Sequence, residues 1–411
     1  MKTILFCYVT PFHPERGGVG RVTHNLTMEF LKRGYKVLYL IYESGITIRH
    51  QYDYPAPLTY LPNQECLSQE NIDFYQRFLK ENHVDIVINQ SGSTEDTLLY
   101  SNTGDFSVPV VSVFHSSPLG WYPHTLRYLY QPKHNSPIEW LYRTARLILF
   151  PKIKLQHLLS TKFCFRKIVP HMNKICFLSH GFENELSSII GDGYRAQYVT
   201  IPNPNSYLED QVQEPLALLP KKKKMVLFVG LLDHVEKQPL VAIKIWEKVC
   251  HQFPDWSFHI LGGGKMLGFF EKYVAQHNIE NILFHGFCKP DSFYHEASIL
   301  CMTSLFEGWG MVLTEAMQNG VVPIAFNSFS SAAEIISPGI TGELVAPFNK
   351  KEYVLKLSNL MKNKKYRDSL AAVAWKNVKK YSVDKIADQW DVLFRSFENK
   401  TSLNPKKGTM P

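Results

Sequence analysis

Phe306-Glu307-Gly308-Trp309-Gly310-Met311-Val312-Leu313-Thr314-Glu315 sets two carboxylates on either side of a glycine-flanked loop that runs into an apolar helix. Gly308 and Gly310 permit close backbone approaches that a Cβ resists, so the amides of Trp309 to Val312 can turn toward a ligand. Those amides open the helix, and its unpaired N–H groups and positive dipole end favour a phosphate. Glu307 then precedes the loop and Glu315 sits about one turn inside the helix. One carboxylate can reach a hexose and the other a ribose, since both accept from hydroxyl donors. Acidic residues near a helix start also stabilise a helix through its dipole, so the pair by itself fits either reading. The flanking Gly320-Val321-Val322-Pro323-Ile324-Ala325, a turn before a short buried strand, and Gly339-Ile340-Thr341-Gly342-Glu343-Leu344-Val345 tip it toward a site.

Outward from this stretch, short apolar strands alternate with longer amphipathic segments, the pattern of an α/β protein with parallel sheets. Segments 4–9, 36–41, 85–89, 108–114, 174–178 and 199–201 read as strands of a first domain. A helix from about Gly20 carries Val22, Leu26, Phe30 and Leu31 at helical spacing and stops at Gly34. The pattern lapses over 209–215, the expected interdomain linker, and ends in Lys221 to Lys224, read as a solvated lead-in to the next strand. A second nucleotide-binding pattern starts at Met225. Its strands are expected at 225–230, 256–262, 282–286, 297–303, 322–326 and 342–345, and its helices at 240–250 and 267–277. The expected domains are thus 1–205 and 206–381, two Rossmann-like units with the ligand between the carboxyl ends of their strands. A final helix is expected at 382–398, with a frayed tail from Asn399.

Three further places carry candidate chemistry. Pro14-Glu15-Arg16-Gly17-Gly18-Val19-Gly20-Arg21 follows the first strand and opens a helix, the position in which a glycine-rich loop cradles an anion, with Gly18 as the point of approach. His115 ends the strand Val110-Val111-Ser112-Val113-Phe114 and so falls at the rim of the cleft. Gly230-Leu231-Leu232-Asp233-His234-Val235-Glu236-Lys237-Gln238-Pro239 places Lys237 after the first strand of the second domain.

The two glutamates separated by seven residues resemble the signature of retaining glycosyltransferases of the GT-B fold, in particular glycosyltransferase family 4 of the bacterial polysaccharide-assembly type. The resemblance extends over nearly the whole chain. It implies that Glu307 positions the donor sugar, that the amides of Trp309, Gly310, Met311 and Val312 meet sugar and diphosphate, and that Glu315 binds ribose hydroxyls. It further implies that Gly18 approaches between donor and acceptor, that His115 contacts the donor sugar, and that Lys237 stabilises the leaving diphosphate. Phe287 matches by position the place where backbone groups hold the base, although a phenylalanine after a strand is ordinarily core. The final helix, with the tail to 411, resembles the element that crosses back onto the first domain. One departure stands out, because relatives usually carry arginine directly after the glycine that is Gly230, and this chain has Leu231. Leucine offers none of arginine's planar charged fork for phosphate oxygens. Lys265, after Gly262-Gly263-Gly264, is a candidate replacement, and also an ordinary surface lysine.

The implied activity is transfer of a hexose from a nucleoside diphosphate sugar to a glycan or lipid-linked glycan, without a cofactor. No D-x-D motif is present to hold a metal. The resemblance points to a UDP-sugar, while the residues leave a GDP-sugar open. A nucleotide-sugar epimerase of the same architecture and a non-catalytic sugar-nucleotide binder fit the same residues.

Composition bounds the rest. The 411 residues are too many for one ordinary core and suit two domains of about 200 residues each. Seven cysteines without a C-x-x-C pair argue for a reducing, cytoplasmic setting and against a zinc site. No apolar run approaches the ~18–20 residues of a membrane span. The net charge of +8 suits phosphorylated ligands or anionic surfaces. Residues 141–172 hold Arg143, Arg146, Lys152, Lys154, Lys162, Arg166 and Lys167 among large apolar side chains, with no acidic residue. That segment reads either as a peripheral anchor on an anionic membrane or as an internal helix pair with its charges in water. It lacks the aromatic and glycine patterning of an RNA-binding sheet, so no nucleic-acid partner is expected.

Overall fold

The computed structural model describes residues 1–15, 17–42, 52–130, 137–208, 217, 219–233 and 235–401. Two parallel sheets form its frame. The first contains β1 (Thr3–Tyr8), β2 (Lys36–Ile41), β3 (Leu58–Tyr60), β4 (Ile86–Asn89), β5 (Val110–Phe114), β6 (Lys174–Phe177) and β7 (Tyr198–Thr200). Its helices are α1 (Gly18–Lys32), α2 (Gln69–Glu81), α3 (Thr97–Tyr100), α4 (Thr125–Tyr130), α5 (Pro137–Ile148), α6 (Phe150–Ile168) and α7 (His180–Ile190). The second contains β8 (Met225–Val229), β9 (Ser257–Leu261), β10 (Ile282–Phe284), β11 (Ile299–Met302), β12 (Val322–Phe326) and β13 (Glu343–Val345). With it go α8 (Pro239–Trp246), α9 (Leu267–Gln276), α10 (Asp291–Glu296), α11 (Met311–Gln318), α12 (Ser330–Ile335), α13 (Lys350–Lys362), α14 (Lys364–Val378) and α15 (Val383–Thr401).

Thr3-Ile-Leu-Phe-Cys-Tyr8 is buried at every position, as is Val322–Phe326. Strands apolar on both faces need cover on both, which helical crossovers between parallel strands supply. The strand orders are 3-2-1-4-5-6-7 and 10-9-8-11-12-13. Each sheet therefore reverses direction once, between β1 and β4 and between β8 and β11. Loops diverge at such a switch point and leave a crevice at the carboxyl ends of the strands. Here the two crevices face one another across a single cleft of about 1360 Å³.

The α/β reading holds, with strands shorter than expected by one to three residues at several ends. Three expectations change. β3 is an additional edge strand beside β2. Leu31 is exposed, so the buried stripe of α1 runs through Val22, Leu26 and Phe30. The lysine run is not uniformly solvated: Lys222 Nζ donates to the carbonyls of Tyr294 at 2.6 Å and Asn319 at 2.7 Å, and burial pulls its pKa down to about 7. Those carbonyls close α10 and α11, where a cation meets the negative helix end. The expected linker at 209–215, Arg16, His234 and the tail beyond 401 lie outside the described residues.

α15 returns to the first domain as expected and packs on α1. Phe394 lies 5.7 Å from the Phe30 ring and 6.0 Å from Tyr35. Arg33 binds Glu29 at 2.8 Å, Asp388 at 2.8 Å and Asp391 at 2.7 Å. We expect Phe394→Ala to cost about 3–5 kcal/mol, the usual range for a buried phenylalanine. A urea midpoint for loss of near-ultraviolet dichroism that matches wild type would show that α15 is not part of the first domain's core.

Candidate active site

The cleft is lined from both domains. Its walls come from the loop after β1, the start of α1, the end of β5, the turn after β8, and the segment joining β11 to α11. Its volume exceeds the roughly 300–1,000 Å³ of an ordinary small-molecule pocket, leaving room for two substrates together.

The β11–α11 segment is fixed by backbone geometry. Gly310 adopts φ 91° and caps α11, a left-handed conformation that favours glycine. The free amides at the start of α11 consequently open onto the cleft, which Gly310, Met311 and Val312 line. Gly308 packs against the other domain: a Cβ here would lie 1.8 Å from the His115 carbonyl oxygen. Gly18 faces the same helix start, its Cβ position 3.4 Å from Met311 Cγ. Trp309 points its indole away from the opening, where it is buried against Tyr381 at 5.0 Å.

Lys237 and Glu307 meet at the floor. Lys237 Nζ lies 2.7 Å from both Glu307 oxygens, and Ser304 Oγ donates to Oε1 at 2.6 Å. The pairing is enforced by the backbone, since Leu305 N donates to the Glu236 carbonyl at 2.7 Å. Thr303 Oγ1 ties down the carbonyls of Lys237 and Gln238 at 3.1 and 3.0 Å. Gln238 itself is buried at φ 50°, the left-handed region a side chain rarely adopts. This strained turn lifts Lys237 into the cleft.

Glu315 is buried and fully engaged. Ser206 Oγ donates to it at 2.5 Å, Tyr294 Oη at 2.9 Å, and Arg21 Nη1 lies 3.3 Å away. Arg21 stands on α1, so this contact crosses the cleft. A second crossing pair joins Glu15 to Lys289 at 2.5 Å.

His115 borders the cleft with its ring buried. Nε2 lies 2.5 Å from Gln90 Oε1, which accepts, so the neutral ring keeps its proton there and Nδ1 remains a bare buried acceptor. Gln90 in turn donates to Thr23 at 2.9 Å, and Thr23 bonds Tyr8. Burial holds the imidazole down at about pKa 4.

The structure gathers Gly18, His115, Lys237, Phe287, Glu307, Trp309, Gly310, Met311, Val312 and Glu315 around one cleft. Phe287, matched by position to the place that holds the base, is 68% exposed on the cleft rim rather than packed as an ordinary phenylalanine after a strand. Gly286 at φ 64° turns the chain outward there. Leu231 and Lys265 are not among the lining residues. Arg21, Ser206, Tyr294 and Ser304 were not singled out from sequence. Arg21 alone left a trace, as the cation closing the glycine-rich loop.

Comparison with known proteins agrees with this fold. Residues 16–184 match the family described as Glycosyltransferase Family 4, and residues 211–376 that described as Glycosyl transferases group 1. An uncharacterized glycosyltransferase of Haemophilus influenzae is 28% identical over 187 residues, 44% of this chain and 53% of that protein. A poly(glycerol-phosphate) alpha-glucosyltransferase of Bacillus subtilis is 24% identical over 184 residues, 44% of this chain and 27% of its own length. The match thus spans about half the first relative and about a quarter of the second. Anabaena HepE in complex with UDP and glucose shares the fold at TM-score 0.70 and 15% identity, over 96% of this chain and 100% of that one. The chain has the GT-B fold, with a family 4-like amino-terminal half and a group 1-like carboxy-terminal half.

His115 makes a pH prediction. Its pKa is depressed on folding from the ordinary imidazole value of about 6.5 to about 4, so the unfolded chain takes up the proton first as pH falls. The stability is present above about pH 6.5 and lost toward pH 4, on the order of 3 kcal/mol. Urea unfolding of His115→Gln should lack that part of the slope; an unchanged slope would place the acid sensitivity elsewhere.

Proposed function

We propose that the protein is a retaining glycosyltransferase that moves a hexose from a UDP-sugar to a hydroxyl of a glycan or lipid-linked glycan in polysaccharide assembly. The observation that carries this reading is the Lys237–Glu307 pair set beside the open amides of α11 within one two-domain cleft. The UDP and glucose held by the Anabaena neighbour support the choice of donor. On this reading 1–205 with 382–411 is the acceptor side, 206–381 holds the donor, and the reaction runs in the cytoplasm.

The donor's diphosphate rests on the amides of Gly310 to Val312, with Lys237 on one flank. Arg21 provides the second cation in place of an arginine at 231, reaching from α1 rather than from the turn after β8. Glu307 accepts from hexose hydroxyls, as does Nδ1 of the neutral His115. Glu315 exchanges its Ser206 and Arg21 contacts for the ribose hydroxyls, freeing Arg21 toward the phosphates. The bond between the anomeric carbon and the β-phosphate oxygen breaks while the acceptor oxygen bonds on the same face. The departing phosphate takes the acceptor proton. Charge growing on that phosphate is stabilised by groups already in position, the main assistance such a site gives.

Calorimetric titration with UDP, GDP, UDP-glucose, UDP-galactose, UDP-N-acetylglucosamine and GDP-mannose tests the donor. We expect selective binding of uridine nucleotides that Glu315→Ala abolishes, and failure of all six ligands to bind would end the transferase reading. Each charge-assisted phosphate contact contributes about 1.5–3 kcal/mol, so Arg21→Ala and Lys237→Ala should each weaken UDP binding by about ten- to a hundredfold. Equal affinities in Arg21→Ala and wild type would remove Arg21 from the phosphate site. Incubation with donor alone should yield no new sugar nucleotide, since an epimerase would need no acceptor.

A further inference from the structure

We infer that the paired helices α5 and α6 form a docking surface for an anionic lipid bilayer, which brings the cleft to a membrane-borne acceptor. On α6, Leu155, Leu159 and Phe163 recur every fourth residue and are 56%, 55% and 71% exposed. They form one stripe along the helix. At the α5–α6 corner Ile148 is 75% exposed, with Leu149, Leu141 and Tyr142 also exposed. An internal helix pair would turn such residues inward. The inward face of α6 is already supplied by Phe165 and Ile168, and the outer stripe stays exposed among the described residues.

Charge selects the occupant. Lys152, Lys162 and Arg166 flank the stripe at three-residue offsets from Leu155, Leu159 and Phe163, and Arg146 lies on α5. None of these four cations has an acidic partner among the described residues, whereas Lys167 pairs with Glu95 and Lys154 covers the Tyr122 ring. No acidic residue occurs from 141 to 172. A second copy of the chain would oppose like charge to like charge in a two-fold contact. A nucleic acid would leave the aliphatic stripe in water. An anionic bilayer takes both components, the apolar side chains at the acyl boundary and the cations at the headgroups. No helix among the described residues is long and apolar enough to cross a membrane, so the contact is with the surface.

The surface is joined to the site. Its segment leaves β5 at His115, and Trp121 stacks between Tyr128 at 5.0 Å and His157 of α6 at 4.0 Å. His124 Nε2 donates to the Ser328 carbonyl at 3.2 Å, and the Arg127 guanidinium lies 4.1 Å from the Phe348 ring centre, both in the second domain. Docking therefore orients the cleft as well as the helices. The inference needs the cleft to be near the membrane, not the donor to be a UDP-sugar.

Flotation of the full chain with vesicles of phosphatidylcholine, with and without about one-third phosphatidylglycerol, tests it. We expect binding to the anionic vesicles alone, weakened by salt. Each neutralised cation costs about fivefold, so Lys152→Gln/Lys162→Gln/Arg166→Gln should lose about a hundredfold in partitioning. Leu155→Ser/Leu159→Ser/Phe163→Ser should lose binding too, while both variants retain wild-type thermal midpoints, a check on folding independent of donor chemistry. Absence of wild-type vesicle binding overturns the inference. So does binding that the apolar variant leaves intact, which would signal a general polyanion surface, or dimerisation abolished by that variant.

Discussion

The cleft depends on residue 308 having no side chain. The Cβ position of Gly308 falls inside the His115 carbonyl, so an alanine would force the second domain's loop off the end of β5. Gly18 on the other wall faces Met311 at an ordinary contact distance, 3.4 Å from its Cβ position to Cγ, so the tight constraint lies at Gly308. These approaches bring His115 and the glycine-rich loop, anchored to the first sheet, against the start of α11, anchored to the second. The sheets they hang from share no strand, so loop contacts such as these, with the Arg21–Glu315 and Glu15–Lys289 pairs, hold those groups around one cleft.

Once the walls are that close, their charges have to be balanced in pairs. The cleft is lined by the cations Arg21, Lys237 and Lys289 and by the carboxylates Glu15, Asp291, Glu307 and Glu315. The chain's excess of +8 is therefore not concentrated here. A diphosphate would be held by directed N–H groups and by cations exchanging partners rather than by a broad positive field. The donors around Glu315 explain why it tolerates burial. With Arg21, Ser206 and Tyr294 as donors its charge is compensated while the cleft stands open to solvent, and a ribose offers equivalent hydroxyls.

What the sequence made legible was local. Glycines at 308 and 310, the carboxylates beside them and the strand–turn–helix order are each set within a few residues, and the fold follows from their alternation. What it hid was long-range. Arg21 and Glu315 stand 294 residues apart, and neither neighbourhood mentions the other. Four consecutive lysines look alike, and Lys222 differs only because two helix ends converge on it. β3 is three half-exposed residues between Pro57 and Pro62, too short to show a period. Residue type alone left Phe287 open between the base site and the core, because the left-handed turn at Gly286 that puts it on the rim is a backbone choice the residue types do not fix.

The chain from Tyr8 through Thr23 and Gln90 to His115 extends this reasoning to a single atom. A hydroxyl, a hydroxyl and an amide fix the ring's orientation and leave its proton on Nε2. Burial then keeps the ring neutral through the physiological range. The result is a buried Nδ1 lone pair that accepts from nothing among the described residues. An unmet buried acceptor costs about 1–3 kcal/mol, and a fold that needed only packing would carry an apolar residue there. Placed at the end of β5 beside the glycine that lets the domains meet, the acceptor stands where, on the proposed reading, a hydroxyl of the donor sugar would satisfy it. On that reading His115 would act as a neutral positioning group, with no transfer of its own proton required.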